Sequence, residues 1–207
     1  MKIISKMIVG SMLLVLLSST NSNAQSAFEK GKSYVSVGYG YQILSIKSIY
    51  KVYDNPLLYS GFSVSGMGPI RVNYEYAVSD KLGVGLNIGY TSASVKFTDS
   101  YTDGSGNTQT YNYKYKYSKL TILPRLNWHL GESEKVDPYI GFGIGFKKVT
   151  YALETNDPNF QGIKLSGLPV GFDATFGCRF LFTPNIGAYV EVGAGHGFLQ
   201  GGLVAKF

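Results

Sequence analysis

Between Gly167 and Thr183 the chain alternates two residue sets. Leu168, Val170, Phe172, Ala174, Phe176, Cys178, Phe180 and Phe182 hold the even positions, and Pro169, Gly171, Asp173, Thr175, Gly177, Arg179 and Leu181 hold the odd ones. Side chains alternate across a strand, so one face of this segment is apolar and the other small or charged. A helix would scatter the same residues and break any apolar stripe with Asp173 and Arg179. The pattern predicts one strand, longer than the roughly 9 to 11 residues that a tilted strand needs to cross a bilayer.

Seven other segments repeat the pattern. Lys32 to Leu44 sets Val35, Val37, Tyr39, Tyr41 and Ile43 against Ser36, Gly38 and Gly40. Ile70 to Val78 follows, then the tight turn Ser79, Asp80, Lys81, then Leu82 to Thr91 with an irregular extension toward Phe97. The fourth segment ends with Leu120, Ile122, Pro124, Leu126 and Trp128 outward, against Thr121, Leu123, Arg125, Asn127 and His129. Pro124 has no N–H for a ladder, so pairing should be irregular there. Ile140 to Lys147, Ile186 to Gly195 and Leu199 to Phe207 complete the set. Long links are expected at Ser45 to Gly66, Thr98 to Asn112 and Leu153 to Ser166, alternating with short turns, and the last link near His196 to Phe198 is short.

Eight such strands predict an all-β fold, an antiparallel up-and-down eight-stranded transmembrane β-barrel. Tyr76, Trp128, Phe182 and Phe207 fall at one end of the apolar rows and Tyr41, Tyr90 and Phe146 at the other, as interfacial girdles would. A lipocalin-like soluble barrel would turn the apolar face inward. The opposite face decides against it: it carries Gly38, Gly40, Gly83, Gly85, Gly141, Gly143 and Gly177 among others. Glycine weakens a strand, and its recurrence makes sense where side chains crowd a narrow interior.

The N-terminus is read separately. Lys2 and Lys6 precede the apolar run Met7 to Leu17, and small residues end at Ala24, the pattern of a secretory signal peptide (1–24) cleaved before Gln25, leaving one barrel domain over 25–207. The formal charge of +6 loses Lys2 and Lys6 with that segment and falls by two, to +4. An exported chain with no dense Lys/Arg run has no nucleic-acid partner. Cys178 is the single cysteine and sits on the apolar face, where it serves as a small hydrophobe. No cofactor and no metal site is expected.

On these residues the chain resembles the small outer-membrane β-barrel family of the OmpA/OmpX-like type of Gram-negative bacteria, across essentially all of Gln25 to Phe207. The terminal pattern Leu203, Ala205, Phe207 is similar to the aromatic-ended signal read by the barrel-assembly machinery, which the resemblance implies as a partner during insertion, with the outer membrane as location. The resemblance is specific for architecture and carries little about function.

Candidate chemistry lies in two places. Inside, Arg71, Glu75, Arg125, Lys147, Asp173, Arg179, Glu191 and Lys206 are expected to form a charge network with Asn73, Asn87 and Asn127, because an unpaired charge in a narrow interior is costly. An eight-stranded barrel is just wide enough for its own side chains to fill it, so the lumen is expected to be plugged. Above the membrane, Tyr111, Tyr113, Tyr115 and Tyr117 alternate with Lys114 and Lys116, a contact surface for lipopolysaccharide phosphates, glycans or an extracellular protein. Tyr50, Tyr53, Leu57, Leu58, Tyr59 and Phe62 make the first loop similarly apolar. Barrel enzymes that deacylate lipid A place Ser two residues after His. Here Gly131 follows His129 and Phe198 follows His196, so each histidine is read as a polar interface residue. Asp99, Asp103 and Gly104 are placed as in a calcium loop, but Tyr101 and Thr110 occupy ligand positions, so the segment reads as a hairpin tip. The expected function is non-enzymatic: a structural or adhesive outer-membrane barrel, with a small porin-like channel as the alternative and a lipid-modifying enzyme less favoured.

Overall fold

The computed structural model describes residues 26–41, 60–102, 104–160, 162–195 and 197–207. The expected signal segment and the apolar first-loop residues Tyr50 to Tyr59 lie outside them, as do Asp103 and His196. The strands are β1 (Ser33–Tyr41), β2 (Ser60–Ala77), β3 (Leu82–Thr102), β4 (Thr108–His129), β5 (Val136–Thr155), β6 (Lys164–Ser166), β7 (Val170–Leu181), β8 (Ile186–Ala194) and β9 (Leu199–Lys206). All neighbours are antiparallel, β1 pairs with both β2 and β9, and β4 pairs with β5, so the ring is closed.

The ring has the expected eight members, because β6 and β7 are two pieces of one strand. Thr150 faces Ser166 and Phe146 faces Val170 in the same register. Across the gap Gly167 N donates to Val149 O (3.2 Å) and Lys147 N to Pro169 O (2.7 Å). Pro169 has no donor to return, which interrupts the ladder without redirecting the chain. Pro124 acts in the same way: the β4–β5 pairs pass from Ile122↔Phe146 to Arg125↔Gly143, while Leu86↔Pro124 is kept on the β3 side.

The even face of β7 points out, as the alternation predicts, with Phe172 62% and Phe176 51% exposed. The odd residues Asp173, Thr175 and Arg179 are buried. The seven girdle aromatics likewise lie on the outer surface, and so do Leu203 and Phe207.

Three expectations about length are corrected. The link after β1 ends before Ser60 and not at Gly66, so Phe62 lies in β2 and not in the first loop. Pairs with β4 run from Leu82↔Trp128 to Thr102↔Thr108 without a break, so the link Thr98 to Asn112 is mostly strand, while on the β2 side the extension has the expected irregularity, with register shifts between Ser60 and Ser63 and between Met67 and Ile70. The link after β5 is also shorter than expected, since strand pairing resumes at Lys164. The physical reason is a change of polarity along the strands. Met67, Ser92, Ser118, Thr150 and Ser166 occupy one row of cross-strand partners. On the side of this row nearer the short turns the outward residues are apolar, as in Ile88, Tyr90, Leu120, Ile122 and Phe146. Beyond it the outward residues are Ser94, Lys96, Lys114, Lys116, Glu154 and Lys164, and the inward ones are Val95, Phe97, Tyr113, Tyr115, Tyr117, Tyr151 and Leu165. The two-residue period continues while its apolar face moves to the other side.

The four strands β2 to β5 therefore project beyond the rim on one side. On the other side β8 and β9 are joined close to it, through 195–198. At the opposite end the turns are tight: Ser79 Oγ accepts from Leu82 N (3.0 Å) and Thr183 Oγ1 from Ile186 N (3.0 Å). Beneath them Ala27, Phe28, Tyr34, Ala77, Leu181 and Val204 form a buried apolar cluster at the turn end.

Phe172→Arg places a cation on the outward apolar surface next to the inward Asp173. We expect it to destabilise the barrel by about 2–4 kcal/mol near the bilayer midplane, measured as the shift in urea unfolding in lipid vesicles, whereas Phe172→Leu should cost little.

Candidate functional site: a salt-bridged lumen beneath a two-faced sheet

The inward positions of β2, β4, β5, β7 and β8 bring three guanidiniums and four carboxylates together. Arg71 of β2 donates to Glu191 Oε2 (2.7 Å), Gln200 Oε1 (3.1 Å) and Asn73 Oδ1 (3.1 Å), and also pairs with Asp173. Arg125 of β4 pairs with Glu191 (2.8 Å) and Asp173 (3.3 Å) and donates to Asn127 Oδ1 (2.7 Å). Arg179 of β7 pairs with Glu75 and with Asp137 (3.4 Å), and its guanidinium lies over the rings of Tyr34 and Tyr139. Tyr139 OH donates to Glu191 Oε1 (2.8 Å). All these charges are at most 6% exposed, so each depends on its partners for solvation.

His129 belongs to this network and is not the interface residue its sequence position suggested. It is fully buried, with Nδ1 2.7 Å from Asp137 Oδ1 and Nε2 2.9 Å from Glu75 Oε1. The imidazole ring thus bridges Asp137 and Glu75, the two carboxylates that Arg179 also pairs with. Phe28 stacks on the imidazole at 3.4 Å, closing the cluster from the turn end.

Six of the eight expected charges meet in this network, and Lys147 and Lys206 do not. Lys206 lies at the other end of its strand, where its Nζ donates to Ser26 O (2.7 Å) and pairs with Glu29 (3.3 Å). Lys147 faces inward but sits near the loop-end rim, beside Val149, above the carboxylates. Asn87 is also inward and buried, yet its amide has no partner among the described residues. Sequence reasoning missed Asp137, His129 and Gln200 as members. Asp137 keeps the inward parity of Tyr139, two residues on, but lies ahead of the segment expected from Ile140 to Lys147.

The glycines do what their face suggested. A Cβ at Gly141 would overlap the Arg125 guanidinium, one at Gly83 the Glu75 carboxylate, and one at Gly177 the Tyr139 ring. Each removes its own side chain so that a long neighbour can lie across the lumen.

The Tyr and Lys residues expected to share one contact surface are divided between two. Tyr113, Tyr115 and Tyr117 are on the concave inner face with Phe97, which stacks with Tyr113 at 5.2 Å and Tyr115 at 5.9 Å, and Tyr111 lies on the same face. Lys114 and Lys116 are on the outer face. There Lys116 pairs with exposed Glu154 and holds its carboxyl below the usual range, while Lys114 is placed directly opposite Lys96. On the inner face, the hydrogen bond from Tyr113 OH to Asp157 (3.0 Å) holds the Tyr113 phenol proton more firmly than usual.

Breaking the network should be costly. Arg71→Ala leaves Asp173 and Glu191 short of a counter-charge, and we expect a loss of about 3–5 kcal/mol. The measurement is unfolding in vesicles, with exposed Lys81→Ala, whose pair with Glu132 lies in water, as the near-neutral control.

The N-terminal β-barrel domain of Pseudomonas aeruginosa OprF is similar at 12% identity and a TM-score of 0.42, over 86% of this chain and 98% of that one. The attachment invasion locus protein Ail of Yersinia pestis is similar at 14% and 0.42, over 86% and 99%. The outer membrane protein OprG of Pseudomonas aeruginosa is similar at 12% and 0.47, over 90% and 99%. No curated protein matches the sequence. The family model described as outer membrane protein beta-barrel domain matches residues 12–202, and with a closed antiparallel ring that is apolar outside and salt-bridged within, this chain belongs to that outer-membrane β-barrel family.

Proposed function

We propose that the barrel is a closed membrane anchor and that its work is done by the sheet it holds above the outer leaflet, as a structural or surface-interaction protein. The observation that carries this reading is the division of that sheet into a lysine-bearing outer face and an apolar inner face, built on an ion-paired lumen. A cavity lined by Tyr34, Asn73, Arg125, Tyr139 and Glu191 in the lumen has a volume of about 10 Å³, the scale of a single water.

The outer face supports an anionic partner. Lys96 and Lys114 are direct cross-strand neighbours, and like charges placed opposite one another destabilise a sheet; Lys114 also faces Glu154 on its other side, whereas Lys96 faces Ser63 there and has no carboxylate opposite it. Lys116, Lys148 and Lys164 are further outward lysines, and Glu154 is the carboxylate among them. Lipopolysaccharide phosphates, which begin where the apolar band ends, have the right charge and level. No catalysis is part of this reading: the buried imidazole of His129 has a carboxylate at each nitrogen, which leaves none to act as a base toward a lipid.

In planar bilayers the protein should give no steady single-channel openings. Openings whose size changes on replacing Arg71 or Glu75 would overturn the closed-anchor reading in favour of a small channel.

Lys96→Gln, at the lysine that faces Ser63 and Lys114 but no carboxylate, tests the outer face by the sign of its effect. In bilayers without phosphate-bearing lipid it should stabilise the barrel by roughly 0.2–1 kcal/mol, the size of a relieved like-charge pair. In bilayers containing lipopolysaccharide it should destabilise. The same sign in both would remove phosphate as the partner.

A further inference from the structure

The inner face of the projecting sheet carries a second, different feature. Val95, Tyr115, Tyr117, Tyr151, Ile163 and Leu165 line an open cavity of about 420 Å³. That is within the range of small-ligand sites and too small for the several acyl chains of a membrane lipid. Leu165 is 61% and Ile163 50% exposed, on a face that points away from the bilayer. Exposed apolar groups gathered in this way mark a binding surface.

Two cations lie at the foot of this surface. Lys119 follows Tyr117 by two residues on the same face, roughly 7 Å along the strand. Lys147 is its diagonal neighbour on β5, since Lys119 pairs with Val149 and Thr121 with Lys147. Their charges repel each other. Lys119 Nζ donates to a neutral acceptor, Gly195 O (2.6 Å), and Lys147 has no hydrogen bond or ion pair among the described residues. Asp173 is the carboxylate beneath them and attracts Lys119; Arg71 and Arg125 share its Oδ2.

We propose that this face binds a single-chain amphiphile with one anionic head, taken from the extracellular medium. The tail lies along Tyr115, Tyr117, Tyr151 and Leu165, and the head sits on Lys119 and Lys147. The site uses neither the outer lysines nor a conducting lumen, so it stands or falls independently of the anchor reading.

Equilibrium dialysis of octanoate, with octanol as the neutral probe, against the barrel in lipid nanodiscs tests it. Empty discs give the partition background, and heat-modifiable mobility on gels confirms that each variant is folded. Octanoate should bind saturably above background. Lys119→Gln with Lys147→Gln should weaken octanoate by about tenfold or more, the scale of one lost charged hydrogen bond, and leave octanol unchanged. Leu165→Glu, on an exposed strand edge, should weaken both. Uptake equal to that of empty discs overturns the site, and an equal loss of octanol in the lysine variant overturns the head assignment. Self-association of the discs that Leu165→Glu abolishes, without octanoate uptake, would give the face to a second copy of the chain and overturn the proposal.

Discussion

In hydrocarbon a backbone N–H or C=O without a partner costs several kcal/mol, and a strand cannot satisfy its own groups. Closure is therefore the condition on which the rest of this structure depends. The ring closes where β1 meets β9, from Tyr34↔Lys206 to Tyr41↔Leu199. Once it is closed, every spanning strand has one face in lipid and one in a narrow lumen. The chain then needs two chemistries with a period of two, and the alternation of Val170, Phe172 and Phe176 with Asp173, Thr175 and Arg179 supplies them.

A lumen this narrow leaves little room for water, so its polar groups must solvate one another. The arginines span it, each reaching carboxylates on strands distant in sequence, as in the contact of Arg71 with Glu191. Such pairs are not a cheap source of stability, because desolvation offsets much of the attraction. What they fix is geometry: a strand that slipped by one residue would put Arg71 or Glu191 into lipid and a valine or tyrosine into the charge cluster. Glycines facing Arg125, Glu75 and Tyr139 provide the space these long side chains need. The network and the glycines are thus two halves of one solution.

How much of this the sequence discloses depends on whether the face keeps its parity. Within the membrane band it does, and the strands, the outward rows, the girdles and six of the eight lumen charges are legible. Lys147 and Lys206 have the right parity but the wrong height, and alternation does not encode height. Phe28 under His129 was not legible, since it precedes the first strand and its contact is purely tertiary. The extension of β3 and β4 was lost at Tyr90 and Leu120, where the apolar positions pass from even numbers to odd. Following one apolar face leads off the strand there, although the backbone ladder goes on.

That change of parity separates two kinds of burial. In the band the outward face is apolar because lipid lies outside and ion pairs lie inside. Past Ser92, Ser118 and Thr150 lipid is gone, and the sheet would need no apolar face if it were only a spacer in water. Both outcomes available to a bare spacer, polar on each side or a short loop, are cheaper than Tyr115, Tyr117, Tyr151 and Leu165 facing an open cavity. The β8–β9 side of the same barrel takes the second outcome, joining its strands through 195–198. Among the described residues, the apolar inner face is thus a feature that the membrane does not require, and it stands over Lys119 and Lys147 with Asp173 beneath them.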